Sequence, residues 1–141
     1  MIIFVCTGNT CRSPLAESYA KTKLSSEVQS RGLFVTPGSI VSDESLQLIE
    51  MNELSSPSEP QQLTHEDLQD STLYTMTAQH KDMILQMNPN ANVLMLSEII
   101  GVENDVLDPY GQSFVAYEKA FEQIKHYIDH IDSVSYTHLT L

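Results

Sequence analysis

Met1-Ile-Ile-Phe-Val5 runs directly into Cys6-Thr-Gly-Asn-Thr-Cys-Arg-Ser13, and Pro14 comes next. The apolar run reads as a strand with no polar face, which suits the buried middle of a parallel sheet. Ser13-Pro14 reads as a helix start, because proline's fixed φ and missing N–H are tolerated in a first helical turn. Leu15, Ala16, Tyr19 and Ala20 supply that helix's apolar face. A cysteine therefore stands where a strand ends, an arginine follows six positions later, and a helix begins at once. A loop so placed can turn several backbone N–H groups into one concavity, and the helix start adds positive dipole. The same field lowers the pKa of a thiol at its centre and makes it a nucleophile at neutral pH.

Outward from this stretch, strand and helix patterns alternate. Strands are expected over 28–33, 72–76 and 92–96. Helices are expected after Asp43 as a cap, over 79–87, and on the stripe Phe114, Tyr117, Phe121, Ile124, Ile128 and Ile131. Pro57 and Pro60 mark a loop. Thr64-His-Glu-Asp67 resembles a capping box, and 101–111 is a polar loop. The alternation predicts a single-domain α/β fold: a three-layer αβα sandwich around a central four-stranded parallel sheet with right-handed crossovers. Such sheets bind ligands at the carboxyl ends of their strands, where Cys6 lies. The domain is expected over 1–132, with an irregular tail at 133–141.

With 141 residues, one core is expected. Nineteen acidic residues against seven basic ones give a formal charge of −12, which argues against nucleic acid or an anionic membrane as partner. An anionic ligand must then be held by local donors. The two cysteines, Cys6 and Cys11, both lie in the opening stretch. A disulfide there would close a very short loop and constrain little of the unfolded chain. Zinc needs further ligands, and no second Cys/His pair stands at zinc spacing. No metal or cofactor is expected. No leader is read in the N-terminal run, and the thiols fit a reducing, cytoplasmic setting. His65, His80, His126, His130 and His138 are read as solvated surface residues.

Cys6-x5-Arg12-Ser13, with Gly8-Asn9 in the loop and Asp108-Pro109-Tyr110 far downstream, resembles the low-molecular-weight protein tyrosine phosphatases from Met1 to about Ile131. The resemblance implies a two-step hydrolysis. Cys6 attacks phosphorus and becomes a phosphocysteine. Arg12 grips two phosphate oxygens with its planar fork, and loop N–H groups from Thr7 to Arg12 hold the equatorial oxygens. Gly8 admits close backbone approach. Asn9 accepts a left-handed conformation and holds the loop's shape. Ser13 hydrogen-bonds the thiolate, and Asp108 protonates the leaving group and then activates water. The partners implied are phosphorylated proteins, with inorganic phosphate as product and the chain acting as a monomer.

Several residues keep two readings. Asp105 competes with Asp108. Tyr110 is a pocket wall or a packed aromatic. Cys11 is a redox partner for Cys6 or a small buried residue. Thr10 stands where phosphotyrosine-directed relatives commonly carry an aliphatic residue, and so resembles the bacterial protein-arginine phosphatase branch. A hydroxyl there suits polar groups better than a phenyl ring, and an acidic rim suits a guanidinium leaving group, so phosphoarginine is favoured over phosphotyrosine. Relatives that reduce arsenate use further cysteines, and none follows Cys11. A silent phosphate binder would need only the loop and Arg12. Ser30 is expected to support Asn9. Ser58 and Gln61 stand nearest the places where the family often carries His and Arg.

Overall fold

The N-terminal run forms β1 (Ile2–Cys6), and its lack of a polar face follows from its place in the sheet. It lies between β2 (Val28–Gly32) and β3 (Thr72–Thr75), and β4 (Val93–Met95) extends the sheet beyond β3. All three pairings are parallel. The computed structural model describes residues 1–131, so the expected tail at 133–141 lies outside the described residues.

Alternate side chains of β1 enter different cores. Phe4 and Cys6 join a cluster with α1 (Arg12–Lys23), α2 (Asp43–Met51) and α4 (Phe114–Ile128). Ile3 and Val5 join a cluster with Leu63, Leu68 and Ile84, the last on α3 (Ala78–Met87). The fold is therefore the expected α/β sandwich, with helices on both faces of a four-stranded parallel sheet. The stripe on α4 is buried as its period predicts: Tyr117, Phe121, Ile124 and Ile128 are all core residues. Among the described residues, no helix is long and apolar enough to cross a membrane.

Two details depart from expectation. Ser42, not Asp43, caps α2: its Oγ accepts from Ser45 N at 3.3 Å, while Asp43 sits in the first turn. A carboxylate there still meets the helix dipole favourably. Thr64 and Asp67 do cap reciprocally, with Asp67 N donating to Thr64 Oγ1 at 3.3 Å and Thr64 N to Asp67 Oδ2 at 3.0 Å, but they open only the short 3-10 turn Glu66–Leu68.

The register sets the site. Cys6 pairs with Gly32 at the carboxyl end of the sheet, and the loop after Cys6 presses on that glycine. A Cβ at Gly32 would stand 2.9 Å from Asn9 N and from Gly8 C, and 2.7 Å from Val35 Cγ2. Glycine is required here by close approach of backbone.

Candidate active site

A loop between a strand and a helix needs its carbonyls satisfied elsewhere before its N–H groups can face a ligand. Here the carbonyls turn to the protein. Cys6 O accepts from Leu33 N at 3.0 Å, Thr7 O from Phe34 N at 2.8 Å and Thr10 O from Ser42 N at 2.8 Å. Cys11 O accepts from Ser45 Oγ at 3.1 Å. Asn9 makes the turn with φ 59°, a left-handed conformation that asparagine tolerates. Gly8 does not; a Cβ there would meet only Thr10 Oγ1, at 3.7 Å, so the room at Gly8 belongs to the cavity beside it. That cavity, about 470 Å³, is lined by Cys6, Thr7, Gly8, Thr10, Cys11 and Arg12 on the loop side. Asp108 and Tyr110 line the other wall, and Thr36 and Ser39 also border it.

A directed hydrogen-bond chain runs behind the thiol. Cys6 is buried, with Sγ 2.9 Å from Ser13 Oγ. Asn9 Nδ2 spends its two hydrogens on Ser13 Oγ at 2.7 Å and Ser30 Oγ at 2.9 Å. Ser13 thus accepts from Asn9 and keeps its own proton for sulfur. Ser30 Oγ in turn donates to Glu17 Oε1 at 2.5 Å. Glu17 is wholly buried on α1. A buried carboxylate must be paired, and this one takes Lys21, the Ser58 N–H at 3.0 Å and the Ser58 hydroxyl at 2.8 Å. The Asn9 carbonyl oxygen accepts from Gln61 N at 2.9 Å. Ser58 and Gln61 therefore do brace the loop, partly through backbone groups.

Arg12 is buried, and its guanidinium is shared. Nη1 donates to Val106 O at 3.1 Å, and Nη2 stands 3.8 Å from Asp108 Oδ2. The two candidate carboxylates separate cleanly. Asp105 is engaged at the start of α3, where Ala78 N donates to its Oδ1 at 2.9 Å. Asp108 is exposed at the cavity, its Oδ1 accepting from Tyr110 N at 3.2 Å. Tyr110 is 75% exposed, so it is a wall at the mouth and not a packed aromatic. Cys11 is a buried free thiol, 3.5 Å from the Tyr117 hydroxyl.

His80 corrects the reading of the histidines. His65, His126 and His130 are exposed, and His138 lies outside the described residues. His80, by contrast, is buried under the loop with Nε2 2.9 Å from Thr7 Oγ1. Burial first, then the nearby Arg12 charge, lowers its pKa to about 4 against the opposing pull of Asp105 and Asp108. It is neutral at pH 7, and Nδ1 has no hydrogen-bond partner among the described residues. Its helix gave no sign of this, because the bond joins residues far apart in sequence. Glu17 and Gly32 escaped the sequence reading for the same reason.

The profile of the family described as low molecular weight phosphotyrosine protein phosphatase matches residues 1–133. A curated relative, the low molecular weight protein-tyrosine-phosphatase PtpB of Staphylococcus epidermidis, is 44% identical over 97% of this chain and 98% of its own. Among solved structures, the YwlE arginine phosphatase of Geobacillus stearothermophilus is 32% identical, with TM-score 0.91 over 97% of this chain and 93% of that one. A Cys-to-Ser variant of YwlE arginine phosphatase, described as carrying a phosphorylated active-site serine, is 30% identical, with TM-score 0.86 over 92% of this chain and 91% of that one.

Proposed function

The chain belongs to the low molecular weight protein tyrosine phosphatase family of cysteine-dependent hydrolases, and from that premise we propose that it dephosphorylates proteins through a phosphocysteine on Cys6, with phosphoarginine preferred to phosphotyrosine. The observation that carries the mechanism is the Ser13 hydroxyl, oriented by Asn9, with its proton aimed at Cys6 Sγ from 2.9 Å. A hydrogen bond to the charged form stabilises a thiolate. The thiolate attacks phosphorus, the S–P bond forms, and the P–O or P–N bond of the substrate breaks. Asp108 gives its proton to the departing oxygen or nitrogen. It then takes a proton from water as water attacks phosphorus, the S–P bond breaks, and Cys6 leaves as thiolate. The Arg12 fork and the backbone N–H groups of Thr7 to Arg12 carry the charge on the phosphoryl oxygens in both steps. The phosphorylated serine carried by the YwlE variant supports a covalent intermediate at this position.

Thr10 supports the arginine preference. Thr10 lines the cavity, and a polar residue there with Asp108 opposite suits a guanidinium better than a phenyl ring. The exposed Tyr110 ring favours the second reading, phosphotyrosine, because it can stack on an aromatic substrate. One experiment separates them: kcat/KM on phosphoarginine and phosphotyrosine peptides for wild type, Thr10→Ile and Cys6→Ser. The expected result is no turnover by Cys6→Ser and a shift toward phosphotyrosine of about tenfold or more in Thr10→Ile, the scale of a single pocket contact. An unchanged preference in Thr10→Ile defeats the specificity reading, and normal turnover by Cys6→Ser defeats the mechanism.

A further inference from the structure

We propose that Gln123, on α4, is a positioning residue that sets where the Asp108 carboxylate stands. An irregular segment points a side chain well only when its own backbone is held. Val106 is held from beneath: its N–H donates to Met76 O at 2.8 Å and its carbonyl accepts from Arg12 Nη1 at 3.1 Å. The residues on either side of it are held by one side chain. Leu107 N donates to Gln123 Oε1 at 2.9 Å, and Gln123 Nε2 donates to Asp105 O at 3.4 Å. Asp108 comes directly after Leu107, so the Leu107 peptide is the last fixed point before its side chain. A primary amide is suited to this clasp because it accepts and donates from one end. Glutamate accepts there but does not donate, and methionine has no strong group for either.

Among the described residues, the hydrogen bonds to Asp108 itself come from within its own loop and move with it: Tyr110 N to Oδ1, and Gln112 Nε2 to the Asp108 carbonyl at 2.8 Å. The buried Arg12 attracts the carboxylate from outside the loop, but at 3.8 Å it is too far for a hydrogen bond that would fix the loop's backbone. Gln123 instead ties the loop to a helix whose next residue, Ile124, is fully buried in the core. The clasp itself lies at the surface, with Leu107 exposed. Water can satisfy the freed Leu107 N–H and Asp105 carbonyl when the side chain is lost. Removing the amide therefore changes where the acid stands without opening the core.

This inference rests on Asp108 as the acid, and the test separates the two. Measure kcat/KM for phenyl phosphate and p-nitrophenyl phosphate with wild type, Asp108→Asn, Gln123→Met and Gln123→Glu. That ratio reports the chemistry up to departure of the phenol. Phenoxide needs a proton to leave well; p-nitrophenoxide needs it far less. In Gln123→Met the expected loss is about tenfold on phenyl phosphate and under about threefold on p-nitrophenyl phosphate, a fraction of what an acid supplies. Inhibition by inorganic phosphate stays unchanged, because the cradle is untouched. Gln123→Glu loses less, since it keeps the acceptor for Leu107 N. Equal losses on the two substrates, or none, overturn the role of Gln123. If Asp108→Asn is itself indifferent to the leaving group, the acid assignment falls and this inference with it.

Discussion

At the residue scale, the candidate site depends on where protons point. Each of Ser13, Ser30 and Asn9 has its donors and acceptors assigned by its neighbours, and the chain ends on the Glu17 carboxylate. A buried carboxylate accepts only, so it orients every hydroxyl and amide before it. His80 is the opposite case, a titratable group kept neutral by burial. Its folded pKa of about 4 lies below the unfolded value of 6.5. The unfolded chain therefore takes up the proton first as pH falls. Stability is flat above pH 6.5 on this account and declines between 6.5 and about 4, by up to about 3 kcal/mol. His80→Gln keeps an N–H to place against Thr7 Oγ1 but does not titrate. Unfolding measured across that window is expected to show a shallower pH slope in the variant, and an identical slope removes His80 as the cause.

At the element scale, the crossover from β1 through α1 to β2 was legible because its signals are local: an unbroken apolar strand, a proline at the helix start, an apolar helical face. The loop motif was legible for the same reason. What was not legible spans distance. Gly32 ends β2 as an ordinary glycine would, and only the packed loop shows that Asn9 N and Gly8 C fill the space a side chain would take. Gln61 braces Asn9 through its backbone N–H, which leaves no mark in the residue type. Glu17 is a charged residue that does not belong to the apolar face expected of its helix, yet it is buried. Gly32→Ala is expected to cost about 1 to 3 kcal/mol, as overpacking against backbone does. It is also expected to lower phosphatase activity more than the stability loss explains, since the loop must shift to make room. Denaturation together with kcat/KM at a temperature where the variant is fully folded checks this, and full activity there would show that the loop absorbs the methyl group.

At the scale of the whole molecule, a charge of −12 surrounds a candidate site that, on the proposed chemistry, receives an anion. Long-range repulsion slows the approach of a small dianion and is screened by salt. For an aryl phosphate, kcat/KM is expected to rise about twofold from low to physiological ionic strength, whereas a phosphopeptide rich in lysine and arginine is expected to show the reverse. Parallel salt titrations of the two substrates read this directly, and matching trends would mean that the local field of Arg12 and the loop dominates approach. The candidate site is also divided along the chain. Cys6, Asn9, Arg12, Ser13, Glu17, Ser30 and Gly32 all belong to the first crossover, while Asp108 arrives only with the last connection before α4. On the proposed chemistry, this gives the protein two ways to break. Damage to the first crossover yields a molecule that ignores phosphate. Damage to the hold on the late loop yields one that still takes the phosphoryl group from an ester with a good leaving group, such as p-nitrophenyl phosphate, and then retains it, a trap in place of a catalyst, and the mass of the intact protein after reaction with that substrate tells the two apart.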